Sequence, residues 1–263
     1  MSEATAHPLR VEELTETGAH HAAADLLRRI WRTGADQILD TSTITAFAHT
    51  GNYVAGAYRG EELIGVCAGF FAADGHLHSH ITGVAPGRQG GGVGYALKQH
   101  QRVWALERGV AAVCWTFDPL VGRNAYFNLH RLGARATAYL PDFYGPLGDG
   151  VNTGDATDRL YITWELASPR ATAAATGDRL DVDTAGARPL LDRDGDAPGE
   201  VAPVHTPRAL VATPPDIDRL RATGPEVARR WRYAVREALT GALAAGYRIM
   251  GITRDGRYLL ERS

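Results

Sequence analysis

Hydrophobic residues recur with two different spacings in the first 166 positions of the chain. Alternating or unbroken apolar runs, typical of strands, mark seven segments, and apolar residues three or four positions apart, typical of helices, mark four. The pattern predicts the element order β-α-α-β-β-β-α-β-α-β-β. The predicted strands cover 9–14, 52–59, 62–71, 76–84, 110–117, 134–140 and 158–166, and the predicted helices cover 18–32, 41–50, 93–109 and 123–133.

The remaining residues follow a different pattern. Residues 168–200 are rich in Ala, Gly, Asp and Pro and show little periodicity, which indicates a linker or an irregular wrap. A strand at 208–214, a helix at 225–246 and a closing hairpin are expected after it. The predicted organisation is therefore one domain over 1–166, a linker over 167–200 and a small α/β extension over 201–263.

Composition limits the class of protein and its partners. The chain has 263 residues, is 44% hydrophobic and carries a formal net charge of -2, which fits a soluble globular protein and disfavours nonspecific nucleic-acid binding. No apolar run approaches the ~18 to 20 residues of a membrane span. Cys67 and Cys114 both lie in apolar runs, where reduced core thiols are expected. A cytoplasmic location with no nucleic-acid or membrane partner is predicted.

One glycine-rich segment is the strongest candidate for a binding function. Six glycines occur between Gly83 and Gly94, immediately before an amphipathic helix. Backbone N–H groups that are free of side chains and lead into a helix N-terminus bind anions, and a diphosphate is the leading candidate. The segment lacks the Lys-Ser or Lys-Thr of a P-loop and has no G-x-G-x-x-G register. A tight turn without a ligand is the alternative.

The same segment resembles a known motif. Val84, Pro86, Gln89, Gly92 and Gly94 fit the acyl-CoA motif of the GNAT acyltransferase superfamily. The run "AYFNLHRLGA" is similar to the second cofactor helix of that superfamily, and the predicted element order is similar to its fold over about 160 residues. Within the superfamily the chain looks most like a poorly characterised bacterial branch with a His-Ser-His strand and a Gly-Asp-Gly-x-Asn loop.

The resemblance implies a fold and a co-substrate. The fold is an α/β (α+β) arrangement with a GNAT-type mixed, mostly antiparallel sheet flanked by helices, and the co-substrate is acetyl-CoA or another acyl-CoA, with no metal. The strands that end at Val84 and Phe117 should splay apart to admit the pantetheine arm. The implied cofactor-binding residues are Gly83, Val84, Gln89, Gly90, Gly91, Gly92, Val93, Gly94 and Asn124.

A general base is expected on the strand before the glycine segment. His76, His78 and His80 share one face of that strand at a period of two. His80 is closest to the expected splay, and an imidazole of pKa ~6.5 can accept a proton near neutrality. We assign His80 as the base, with His78 beside it. A hydrogen-bonded structural role and a His-x-His metal site are the alternatives.

The general acid departs from the pattern of the superfamily. The tyrosine that often reprotonates the leaving thiolate would stand four residues before Gly133, where this chain has Leu129. Asn128 could orient the thiol by a hydrogen bond instead. Tyr126 and Tyr144 are further candidates.

Two regions are candidates for substrate binding. The connection at 141–159 is far longer than an ordinary hairpin loop, and such loops are often lids or binding loops, although a disordered tip is the alternative. A row of arginines on the C-terminal helix could form a solvated face, a carboxylate clamp or a contact in a homodimer. The loop candidates are Asp142, Tyr144, Asn152 and Asp158, and the row is Arg229, Arg232 and Arg236.

The resemblance and these residues together predict an N-acyltransferase. It would move an acetyl or another short acyl group, with succinyl suggested only by the arginine row, to the amine of a small molecule such as an amino acid. The alternative is a non-catalytic acyl-CoA-binding sensor or interaction module with the same fold, which the missing tyrosine favours.

Overall fold

The structure is a computed structural model that describes residues 7–31, 39–145, 155–178, 180–203 and 205–262. It contains two compact units, one formed by the described residues up to Cys114 and the other by those from Trp115 onward. The element order predicted for the first 166 residues is confirmed. The two units meet between Cys114 and Trp115, inside a strand. This division does not test the predicted domain boundary at 166, which stays a prediction.

The first unit contains five strands, one of which is shared, and three helices. The strand order is β1-β2-β3-β4-β5, antiparallel throughout except for the parallel pair β4–β5. The elements are β1 (Leu9–Glu13), α1 (Thr17–Trp31), α2 (Thr41–His49), β2 (Tyr53–Arg59), β3 (Glu62–Phe71), β4 (Leu77–Val84), α3 (Val93–Glu107) and the start of β5 (Ala112–Phe117).

Helices cover both faces of this sheet. On one face, Leu26 and Leu27 of α1 and Ile44 of α2 are buried against Val66 and Ala68 of β3. Helix α3 covers the other face, where a Cβ on Gly65 would lie within 3.0 Å of the side chains of Val93 and Leu97. The apolar spacing read from the sequence therefore corresponds to two separate helix–sheet contacts.

Strand β4 contains a β-bulge that changes which side chains share a face. Ser79 pairs with Gly69 and Ile81 pairs with Ala68 of β3, so His80 is the extra residue. On one face, Ile81 packs with the core of α1 and α2. On the other face, Ser79 contacts Lys98 of α3. Because of the bulge, the polar residues of β4 do not all lie on one face of the sheet.

The second unit contains a strand order β5-β7-β6 and a separate four-stranded sheet of order β12-β13-β11-β8. A π-helical turn at Phe127–Arg131 continues the short helix α4, and Gly133 then takes a φ of 72°. The elements are α4 (Gly122–Tyr126), β6 (Arg135–Leu140), β7 (Arg159–Glu165), α5 (Pro169–Ala175), β8 (Arg188–Leu191), β9 (Arg193–Asp194), β10 (Ala197–Pro198), β11 (Arg208–Ala212), α6 (Ile217–Thr223), α7 (Pro225–Ala244), β12 (Tyr247–Ile252) and β13 (Arg257–Arg262).

The segment predicted as a linker contains regular structure. Ser168 caps α5 by accepting a hydrogen bond from the Ala171 N–H at 3.2 Å, and β8 pairs in parallel with β11. These elements are short, so they carry little periodicity in the sequence. None of the helices in the described ranges combines the length and the apolar composition needed to cross a bilayer.

Candidate active site

The parallel pairing between β4 and β5 is limited to the beginning of β4. Leu77 pairs with Val113 and His78 pairs with Cys114, and these two pairs are the whole β4–β5 register. The six residues from Ser79 to Val84 therefore lie past the end of that ladder. Unpaired main-chain groups along this edge of β4 are what an inserted, extended ligand would need.

The loop between β4 and α3 presents backbone rather than side chains. Gly87, Gly90 and Gly92 have φ values of 77°, 81° and 79°, a region that side chains disfavour. Helix α3 begins after Gly92 with no side-chain cap and no acidic residue in its first turn. The first N–H groups of a helix have no partner within it and lie at its positive end. This loop can therefore bind an anion.

Gln89 braces the loop from inside. Its Oε1 accepts a hydrogen bond from the Gly87 N–H at 3.0 Å, and its Nε2 donates to the Val84 carbonyl oxygen at 3.2 Å. The predicted cofactor residues Gln89 and Val84 are thus engaged with each other. Gly83 has a packing role, because a Cβ there would lie 2.7 Å from the ring of Trp31.

Arg59 is a cation beside this loop that the sequence analysis did not identify. Its Nε is buried and has no hydrogen-bond partner among the residues that the structure describes. Its Nη2 lies 4.0 Å from the position that a Cβ on Gly91 would occupy. A buried guanidinium N–H next to this glycine-rich loop fits the diphosphate of coenzyme A, since guanidinium groups bind phosphate oxygens by charge-assisted hydrogen bonds.

His78 and His80 lie together on the α2 side of β4. Their ring centroids are 5.1 and 5.8 Å from that of Phe70, and 6.3 Å from each other. Burial, with the neighbouring His80 and His76, lowers the pKa of His78 to about 4, and burial lowers the pKa of His80. Both imidazoles are therefore neutral at pH 7, and His80, which remains exposed to solvent, can accept a proton.

A buried lysine contacts β4 from its opposite face. Lys98, the only lysine of the chain, is 3% exposed, and its Nζ donates to Ser79 Oγ at 2.9 Å and to Gln101 Oε1 at 2.6 Å. Burial lowers the pKa of Lys98 to about 8. We call Ser79, Lys98, His78 and His80 the β4 cluster. The sequence analysis assigned Lys98 no role.

The two asparagine candidates occupy different environments. Asn124 is exposed on α4, where a ligand can reach it, and Asn128 is 5% exposed in the π-helical turn. Leu129, which stands where a tyrosine was expected, is 1% exposed. Tyr126 stacks on His130 at 4.7 Å. Among the described residues no group of three or more His, Cys, Asp or Glu side chains is arranged to hold a metal ion.

The described part of the long loop is organised by Asp158. This residue is fully buried, and its carboxylate accepts hydrogen bonds from the Tyr139 hydroxyl at 2.6 Å, the Asp142 N–H at 2.9 Å and Arg236 Nε at 2.9 Å. Asp158 therefore anchors the ends of the loop. Tyr144 is 43% exposed, and its hydroxyl lies 3.2 Å from Thr116 Oγ1 of β5. Asn152 lies outside the described residues.

Arg232 is a buried structural residue. It is fully buried, contacts both oxygens of Asp118 at 2.8 and 2.9 Å, and contacts Asp155 at 2.8 Å. Arg221 joins the same carboxylates, so we call these four residues the aspartate–arginine cluster. Burial alone would raise the pKa of Asp118, but Arg232 and Arg221 reverse that effect and lower it. The substrate role predicted for Arg232 would require displacing these carboxylates.

Comparisons with known proteins agree with this geometry. Residues 20–133 match the model of a family described as the acetyltransferase (GNAT) family. Among proteins with curated descriptions, none matches. The resemblance to the GNAT superfamily is thus confirmed for this segment, while the branch with the His-Ser-His strand stays a prediction.

Solved structures show the same fold. The ribosomal-protein-S18-alanine N-acetyltransferase of Escherichia coli aligns with a TM-score of 0.50 and 15% identity over 61% of this chain and 96% of its own. A Salmonella typhimurium protein solved with its cofactor acetyl-CoA aligns at 0.51 and 16%, over 61% and 95%. An N-acetyltransferase of Staphylococcus aureus aligns at 0.50 and 12%, over 60% and 99%. The GNAT fold predicted from the sequence is confirmed.

Proposed function

We propose that the protein transfers an acetyl or another short acyl group from acyl-CoA to the amine of a small molecule. The observation that carries this proposal is the glycine-rich loop before α3, next to the Arg59 guanidinium, whose buried Nε has no partner among the described residues. The loop amides and Arg59 would bind the diphosphate. The pantetheine arm would then follow the edge of β4 past His78, where the ladder with β5 ends.

His80 has the position and the charge state of a general base in this reaction. An amine arrives at neutral pH as an ammonium ion and must lose a proton before its lone pair can attack the thioester carbonyl. The new C–N bond then forms, the C–S bond breaks, and coenzyme A leaves as a thiolate. The bulge at His80 leaves its main-chain groups outside the β3–β4 ladder and aims the ring away from Lys98.

The acceptor is proposed to be small because the connection between β6 and β7, from Leu140 to Arg159, is long enough to restrict access. The arginine row gives no support for a succinyl donor, since Arg232 and Arg236 contact aspartates and Arg229 contacts Glu226. The proposal therefore includes no preference for a charged acyl group. A cytoplasmic location and a homodimer stay expectations.

The test is a panel of acyl-CoAs with a panel of small amines, following thiol release. Amine-dependent release of coenzyme A is the expected result. Binding of acyl-CoA with no turnover across the panel would contradict the enzyme and favour the sensor, which the buried Leu129 in place of a tyrosine also favours. The variant Gly91→Ala is a sharp control, since its Cβ would lie 3.7 Å or more from other protein atoms yet face the loop. It should fold normally and bind acyl-CoA more weakly.

A further inference from the structure

Arg159 is a buried cation that forms no ion pair with any of the described residues. It is the first residue of β7 and is 9% exposed. Its Nη1 donates to the main-chain oxygen of Asp158 at 3.1 Å, and no carboxylate oxygen of the described residues lies within 4.0 Å of its guanidinium. The neighbouring Asp158 carboxylate is engaged by Arg236 and Tyr139 instead.

Arg232, which is fully buried, has the carboxylate partners that Arg159 lacks among the described residues. Arg232 contacts the carboxylates of Asp118 and Asp155, so its charge is compensated inside the protein. Burying an ion costs several kcal/mol unless a partner offsets the loss of water. For Arg159 the described side chains supply one aromatic contact, with the guanidinium carbon 5.2 Å from the centre of the Tyr144 ring. Such a contact offsets only part of that cost.

Exposed aromatic side chains lie near Arg159. Tyr144 and Phe143 are 43% and 47% exposed and meet edge to face at 4.7 Å. The Tyr144 hydroxyl lies 3.2 Å from Thr116 Oγ1. Exposed aromatic rings beside an uncompensated guanidinium form a site for a molecule with an anionic group and an apolar body.

We propose that Arg159 binds the carboxylate of the acceptor, with Phe143 and Tyr144 against its side chain, so that the acceptor is an amino acid rather than a simple amine. This inference rests on the proposed function. A planar guanidinium and a carboxylate can form two parallel hydrogen bonds, which fix both the position and the orientation of the acceptor. The amino group, one carbon from the carboxylate, is thereby held at a defined place.

The experiment measures binding by calorimetry rather than turnover. Each of the twenty standard L-amino acids is titrated into the protein saturated with coenzyme A, and every amino acid that binds is compared with its own amide, which has nearly the same size but no negative charge. We expect at least one amino acid to bind and its amide to bind at least ~10-fold more weakly. Arg159→Gln should remove that difference, and Arg135→Gln, at an exposed position on β6, should retain it.

The inference is overturned if no amino acid binds at millimolar concentration, if acid and amide bind equally, or if the preference for the acid persists in Arg159→Gln. If Arg159→Gln does not fold, Arg159→Lys replaces it as the variant. The comparison of acid with amide on the wild-type protein tests the inference in either case. Rapid acylation of carboxylate-free amines, with amino acids inert, would overturn the inference and leave the proposed function standing. No thiol release with any acyl-CoA and amine would contradict the function itself.

Discussion

The aspartate–arginine cluster and the β4 cluster both bury positive charge, but they treat it differently. Arg232 contacts two carboxylates, and although burial opposes its charge, Asp118 raises its pKa. Lys98 contacts the neutral oxygens of Ser79 and Gln101, and burial lowers its pKa. A compensated charge stays fixed, whereas a lysine whose pKa is lowered to about 8 can exchange a proton near neutral pH. We therefore assign structure to the first cluster and chemistry to the second.

The largest expected effect is on the stability of the aspartate–arginine cluster. Arg232→Met leaves Asp118 and Asp155 buried with one arginine between them, which should lower the free energy of unfolding by ~3 to 5 kcal/mol. Arg229→Met is the matched control on the same helix, because Arg229 is exposed and pairs only with Glu226, and it should change stability by less than ~1 kcal/mol. Urea denaturation measures both. Equal losses of stability in Arg232→Met and Arg229→Met would contradict the structural role assigned to the aspartate–arginine cluster.

The second effect concerns His80 in the β4 cluster. His80→Ala should lower kcat by ~100-fold with acyl-CoA affinity nearly unchanged, because a positioned base contributes about 10²- to 10⁴-fold. Since burial lowers the pKa of His80, the acidic limb of the pH–rate profile should lie below pH 6.5 in the wild type. His76→Ala, at the position just before β4, is the control. An unchanged pH–rate profile in His80→Ala would end the assignment.

A smaller effect is expected beside the glycine loop. Arg59→Gln should weaken coenzyme A binding by ~10-fold, because it removes a charge-assisted contact to phosphate. Affinity for pantetheine, which has no diphosphate, should stay the same. Equal weakening of both ligands would mean that Arg59 supports the fold of the loop and does not contact the phosphates.

The smallest expected effect is the contribution of Lys98 to the pH dependence of the free energy of unfolding. An unfolded lysine titrates near 10.5 and Lys98 near 8, so between these values the unfolded chain binds more protons and stability rises with pH. The free energy of unfolding of the wild type should rise by up to ~1.4 kcal/mol per pH unit relative to Lys98→Met above pH 8. Denaturation from pH 7.5 to 10 measures this, and parallel curves would contradict it. Lysine-selective labelling follows the single ammonium group directly by NMR.

Much of the fold could be predicted because the hydrophobic spacing directly reports which face of an element is buried. Strands β1 to β7 and the four helices among them follow from that spacing. The π-helical turn at 127–131 could not be predicted, because one shifted hydrogen bond leaves the apolar spacing nearly unchanged. Elements α5 and β8 were missed because four to seven residues are too few to show a period.

The candidate site was predictable where it depends on backbone and less so where it depends on partners. Glycines have no side chain and adopt positive φ readily, so the candidate anion site could be predicted from the sequence. The environments of Arg59, Lys98 and Arg159 could not be predicted. A charged residue looks the same in sequence whether it is solvated, paired or buried. Arg232 was predicted to bind substrate because the sequence does not show its partner. That partner, Asp118, lies 114 positions away in the chain.

The most direct test of the account is calorimetry with coenzyme A, because every assignment in the β4 cluster depends on a thioester bound beside β4. We predict that coenzyme A binds the wild-type protein with a dissociation constant below millimolar, and that Gly91→Ala, which leaves the fold intact, binds it at least ~10-fold more weakly. No heat of binding at millimolar coenzyme A, or equal affinity of the two proteins, would contradict the claim that the loop amides bind the diphosphate.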